Sequence, residues 1–221
     1  MSWLKHAVRN PIGAKVLMAI TGIMLTGFLV AHISGNLLIF VGPQAINAYA
    51  EGLRQFPAVL WAARAGLLVA FVTHIYFAAY VTMGNRAARP QPYAFSNTVQ
   101  ATLASRSMVL TGMVMLAFII FHLAHFTWRI TDSEISAMGE FDVYQMVIRG
   151  FRQPMVAGSY VIAMVAIGLH LSHGIASVFQ TLGLNHPRYN RAVRFAGPAI
   201  GVGIALLFAS IPLSIYLGLV K

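Results

Sequence analysis

The residues with the most chemistry to offer are six histidines set in apolar surroundings: His32, His74, His122, His125, His170 and His173. An ionisable group inside a membrane-spanning segment is costly, and it faces the interior of a bundle where a partner offsets the cost. The first four apolar stretches each carry at least one of these imidazoles, and the fifth carries none. There is no cysteine, so disulfides, cysteine nucleophiles and thiolate-held iron–sulfur clusters are excluded together. Any redox centre must therefore use another ligand.

The elements that position these side chains follow from composition. The chain has 221 residues, 58% of them hydrophobic and only 9% charged, with a mean hydropathy of +0.74. A soluble domain carries about one-quarter charged residues, so a water-soluble enzyme is excluded. Charge-free windows cover 16–50, 65–85, 107–128, 153–187 and 195–220, each long enough for the ~20 residues that cross a hydrocarbon layer. The reading is an all-α integral membrane protein, one domain over 1–221, with five transmembrane helices near 14–40, 60–84, 106–129, 156–181 and 196–219. Gly42-Pro43, Gln153-Pro154 and Asn185-His186-Pro187 mark helix exits. Short surface helices are expected within 43–59 and around 141–151. The first stretch lacks an Ala-x-Ala processing site and reads as a retained helix.

Alternating the loops places Lys5, Arg9, Lys15, Arg86, Arg89, Arg106, Arg188, Arg191 and Arg194 on one side of the membrane. The other side receives Arg54, Arg129, Arg149, Arg152 and Lys221, with Arg64 close by, together with the acids Glu51, Asp132, Glu134, Glu140 and Asp142. The Lys and Arg bias predicts a cytoplasmic amino terminus and an external carboxyl terminus. The formal charge of +10 is spread over short segments beside apolar helices, a pattern of membrane topology and anionic headgroups; no nucleic-acid partner is expected.

Depth then sorts the histidines. At a rise of ~1.5 Å per residue, His32 lies about 25 Å and His122 about 22 Å along their helices from the cytoplasmic side. His74 and His170, on helices running the other way, lie about 10 Å from the cytoplasm. His32 pairs in depth with His122, and His74 with His170. With helices packed around a square in chain order, both pairs cross its diagonals. Each then suits a haem held by two axial imidazoles, the irons about 12–15 Å apart along the membrane normal. On this reading the first four helices form a dihaem four-helix bundle and the fifth is peripheral. A non-haem metal site, a proton relay and packing histidines are the other readings of the same imidazoles. Gly22, Gly27, Gly35, Gly66, Gly112, Gly168 and Gly174 permit close approach of a macrocycle or a neighbouring helix. His6 and His186 read as surface groups.

The sequence resembles the cytochrome b558 membrane anchor of succinate dehydrogenase and the related fumarate reductases, in its single-chain, five-helix, dihaem form. The likeness rests on His32-Ile33-Ser34-Gly35-Asn36, Asn47-Ala48-Tyr49, His74, Phe121-His122-Leu123 with His125-Phe126, and His170-Leu171-Ser172-His173-Gly174 followed by Gln180-Thr181-Leu182-Gly183. It covers nearly the whole chain. The resemblance implies two b haems, with axial ligands His32 and His122 for the distal haem and His74 and His170 for the proximal one. His125 and His173 are left for propionate contacts, for supporting positions behind the ligands, or for packing with a carbonyl hydrogen bond. It also implies a bacterial plasma membrane location and partner subunits that carry FAD and iron–sulfur clusters. A quinone, menaquinone by the habit of the family, would bind near the outer haem, where Glu51, Asn36, Tyr49 and Arg54 are candidate contacts.

One departure concerns Gly168, where some menaquinol:fumarate reductases carry a glutamate used for a compensating proton path. Its absence leans the expectation toward succinate oxidation with quinone reduction. The alternatives are the anchor of a different quinone-linked oxidoreductase, such as a nitrate reductase or hydrogenase, a haem-free proton-coupled transporter, and a purely structural anchor.

Overall fold

The computed structural model describes residues 10–88, 91, 95, 98, 101–137, 142–184 and 186–221. Lys5, His6, Arg9, Arg89, Glu140, Phe141 and Asn185, which entered the readings above, lie outside them, as does the side chain of Glu134. The described elements are helical: α1 (Pro11–Asn36), α2 (Pro43–Arg54), α3 (Pro57–Ala87), α4 (Leu103–Arg106), α5 (Met108–His122), α6 (Ser133–Ala137), α7 (Val143–Arg152), α8 (Pro154–Thr181) and α9 (Pro187–Tyr216). A 3₁₀ turn, Leu37–Phe40, extends α1, and a π turn, Leu123–Thr127, extends α5. Five of these helices are long and apolar enough to cross a membrane, namely α1, α3, α5, α8 and α9 with those extensions. The protein is an all-α, multi-pass membrane protein.

Five helices begin with proline at the first helical position: Pro11, Pro43, Pro57, Pro154 and Pro187. Proline is suited to that position because its missing N–H is one of the donors the first turn leaves unpaired anyway. Gly42-Pro43, Gln153-Pro154 and Pro187 are thus starts of the next helix. The fifth span accordingly begins nine residues before the expected 196, since Arg188, Arg191 and Arg194 occupy helical turns that apolarity cannot detect. His186 caps that start, its Nδ1 accepting from Arg188 N at 3.2 Å while Asn190 Oδ1 accepts from His186 N at 2.9 Å. At the far end of α8, Gly183 takes φ +76°, and Leu184 N donates back to Phe179 O at 2.8 Å. This is a glycine-closed helix end.

The packing order is α3 on α1, α1 on α8, and α8 on both α5 and α9. Among the described residues no extended contact joins α3 to α5. The square is open on that side, and α1 faces α5, and α3 faces α8, across it. α9 carries no histidine beyond its cap but is clamped to α8 by matched small residues. Gly168, Ser172 and Ala176 of α8 meet Gly197, Gly201 and Ala205 of α9, a small-residue spacing of four on both helices that lets backbones approach in lipid.

The end of the bundle that carries Lys221 is covered by α2 and α7. α7, expected from sequence as a surface helix, exposes Gln145, Arg149 and Arg152 on one face and buries Tyr144, Met146, Val147, Ile148, Gly150 and Phe151 on the other. They join Ile33, Ile39, Ile46, Tyr160, Ile211 and Ile215 around one apolar core. Asn47 ties the two cap helices, donating to Asp142 Oδ1 at 3.2 Å and accepting from Tyr144 N at 3.0 Å. Tyr144 in turn donates to the carbonyl of Lys221 at 2.7 Å. At the same end Arg64 lies over the ring of Trp61, 4.9 Å from its centre, a cation–aromatic contact suited to a membrane boundary.

Candidate functional site

The pair nearer the N-terminal end of α1 is His74 on α3 and His170 on α8, with ring centres 6.4 Å apart and planes inclined at 59°. Each imidazole rests in a seat supplied by another helix. His74 Nδ1 is 3.1 Å from Met18 O and 3.2 Å from Thr21 Oγ1. His170 Nδ1 is 3.2 Å from Thr111 Oγ1. Both threonine hydroxyls donate to their own helix, Thr21 to Leu17 O at 2.8 Å and Thr111 to Ser107 O at 3.0 Å. Their oxygens therefore accept from the histidines, which puts the proton on Nδ1 and leaves the Nε2 lone pair free. A Cβ on Gly22 would stand 3.4 Å from His74, and one on Gly112 3.7 Å from His170, so a small residue lies beside each ring.

The second pair is His32 on α1 and His122 on α5, with ring centres 5.9 Å apart and planes at 83°. His32 follows Thr21, and His122 follows Thr111, by the same eleven residues, about 16 Å of helix. The two pairs are thus at two heights, as the depth argument expects. Phe28 stacks on His32 at 5.3 Å, and Phe208 of α9 lies 5.8 Å from it. His122 Nδ1 is 3.2 Å from the Tyr160 hydroxyl.

The doublet partners turn elsewhere. His125 Nδ1 also lies 3.2 Å from Tyr160 Oη, and His173 Nε2 lies 3.1 Å from Ser177 Oγ. Both bond to side chains, and His125 stands behind His122 through the shared Tyr160 hydroxyl. Among the described residues no three His, Asp or Glu side chains converge on one point, so each pair is a two-ligand arrangement. A haem supplies four nitrogens of its own and asks the protein for only two more. Two imidazoles on opposite faces of one metal, each through a ~2 Å bond, have ring centres about 6 Å apart. The separations of 5.9 and 6.4 Å match that spacing, and the Nδ1 contacts of His74, His122 and His170 match the orientation common in metal-bound histidine. The residues present fit the group.

The candidate quinone contacts gather only in part. The Tyr49 ring lies against Gly35, where a Cβ would come within 2.5 Å of it. Asn36 donates to His32 O at 2.9 Å and so serves the end of its own helix. Glu51 is exposed on α2, and Arg54, at the last turn of α2, is partly buried. The other glycines divide: a Cβ on Gly168 would stand 3.1 Å from Ala205, whereas Gly27, Gly66 and Gly174 meet no neighbour within 4 Å. Position 168 is closed by α9, which leaves no room for a longer side chain. Sequence reasoning missed Thr21, Thr111 and Tyr160. The signal for the threonines is a repeated Thr-Gly with a histidine eleven residues on, in the first and third spans.

No family model matches the chain, and no match to it was found among curated proteins or solved structures.

Proposed function

We propose that this chain is the membrane-anchoring, electron-transfer subunit of a succinate:quinone oxidoreductase, holding two b haems between a partner iron–sulfur subunit and quinone. The observation that carries the proposal is the pair of level, facing imidazole couples, three of whose four histidines are held through Nδ1. Haem at each height would supply one-electron exchange, and two such sites about 16 Å apart would cover about half of a ~30 Å hydrocarbon layer. The chain's own part is to bind, orient and shield. His32, His122, His74 and His170 would hold the haems, Thr21 and Thr111 fix the rings of His74 and His170, and the α2–α7 cap covers the His32–His122 pair. Iron–sulfur clusters would sit on a partner, since these 221 residues hold no cysteine, and the resemblance assigns dicarboxylate chemistry to a flavoprotein partner. The Lys and Arg bias supports a cytoplasmic N-terminal end, and the resemblance to dihaem anchors favours a bacterial plasma membrane. The resemblance to dihaem anchors favours menaquinone, taken up at the capped end.

The test is a reduced-minus-oxidised spectrum with haem quantitation on the native assembly, followed by mass identification of the co-purifying chains. The expected result is low-spin bis-histidine b haem at about two per chain, with a flavoprotein and an iron–sulfur protein attached. An intact, active complex free of haem overturns the proposal. Substrate-dependent proton flux without haem absorption would instead identify a transporter.

The quinone assignment makes its own prediction. Gly35→Ala forces the Tyr49 ring to move, because the new Cβ would lie 2.5 Å from it. Tyr49 is 42% exposed and can swing outward, so the stability cost stays below about 1 kcal/mol. Quinone reduction should show a raised KM for quinone with unchanged haem content, measured by steady-state kinetics with a soluble quinone.

A further inference from the structure

We infer that Tyr160 is a positioning residue that makes the two imidazole pairs chemically unequal, joining His122 to His125 in a hydrogen-bond chain that the other pair lacks. The inference rests on the haem reading given above. One hydroxyl, with a single proton, stands 3.2 Å from Nδ1 of both His122 and His125. If His122 gives Nε2 to a metal, its Nδ1 carries hydrogen and donates to Tyr160 Oη. The tyrosine proton is then directed to His125 Nδ1, and His125 keeps its own hydrogen on Nε2. The order of donation is His122 to Tyr160 to His125.

The surroundings hold this chain rigid. Phe118 and Phe151 set their edges or faces against the Tyr160 ring at 4.9 and 4.8 Å. His125 is 2% exposed, stacked on Phe121 at 5.5 Å and beside Phe126 at 4.0 Å. α7 closes over it through Gly150, where a Cβ would come within 2.9 Å of the ring. In the other pair each threonine oxygen accepts from a histidine but passes its proton to a carbonyl of its own helix. There the chain ends at once. A partner that accepts from Nδ1–H raises the donor strength of the imidazole, and linked hydrogen bonds polarise one another. Tyr160, backed by His125, should therefore stabilise the oxidised form at the capped end specifically.

The experiment is a redox titration of the purified native complex with the wild-type chain and with Tyr160→Phe, His125→Leu and Thr111→Val. Tyr160→Phe should shift the capped-end component toward easier reduction by about tenfold in equilibrium constant, or about 59 mV for one electron, leaving the other component in place. His125→Leu should shift the same component in the same direction by less, and Thr111→Val should move only the other one. An unmoved capped-end component in Tyr160→Phe, or equal movement of both, overturns the inference; should Tyr160→Phe fail to assemble, His125→Leu decides by the same criteria. A wild-type complex without haem defeats the functional proposal itself, before any variant is compared.

Discussion

Alanine at His74 or His170 is expected to remove one haem and spare the other, lowering the content from about two per chain to about one. Alanine at His32 or His122 should remove the opposite haem. The reason is geometric: each imidazole faces only its own partner, at 6.4 and 5.9 Å between ring centres, and the two heights are separated by about 16 Å of helix. Sites so far apart respond independently, whereas residues that share a ligand do not. The double variant His74→Ala/His170→Ala should consequently behave like either single variant, while His74→Ala/His122→Ala should lose both haems. Electron delivery to quinone should fall by more than the ~10–100-fold that loss of a supporting hydrogen-bond partner costs a metal site. Pyridine haemochrome quantitation and resolved redox titration read these outcomes. Packing histidines would give a different result, with mild assembly defects and no change in any spectrum. The same variants assign the two redox components to their heights, which the Tyr160 titration requires.

The pairing of the histidines is legible in the sequence because helical rise converts position into depth, and because an imidazole in an apolar run stands out. The five spans are legible for a similar reason, and helix ends fail where charged turns continue past the hydrocarbon, as with Arg188, Arg191 and Arg194 in α9. The partners of the histidines are not legible. Thr21, Thr111 and Tyr160 are neutral in any hydropathy profile, and which helix presents a hydroxyl to a given ring depends on rotations about the helix axes. α7 meets the same limit: its amphipathic pattern announces an apolar face but does not say whether lipid or the α2 side of a cap covers it. Asn47 carries part of the family likeness; in the structure it is the residue that joins α2 to α7.

Gly201 is where the largest loss of assembly is expected. A Cβ there would lie 2.7 Å from Ser172 N, 3.0 Å from Gly168 O and 3.1 Å from Leu171 C, all backbone atoms of α8. Backbone in a helix cannot step aside as a side-chain tip can, so even Gly201→Ala must drive α9 away from α8. In lipid the hydrophobic effect does not hold helices together, and close van der Waals contact is what the displacement forfeits. Overpacking costs about 1–3 kcal/mol in a well-packed core, and Gly201→Val should reach or exceed the upper end of that range. The effect reaches the site because α8 carries both Tyr160 and His170, and α9 brings Phe208 to within 5.8 Å of His32. Gly203 provides the control: it meets nothing within 4 Å, and replacing a helical glycine by alanine there should stabilise the protein by about 0.5–1 kcal/mol. Thermal unfolding in detergent, followed by circular dichroism and haem release, should show Gly201→Val well below wild type and Gly203→Ala at or above it. Equal behaviour of the two variants would mean that α9 is held by something other than its small-residue face.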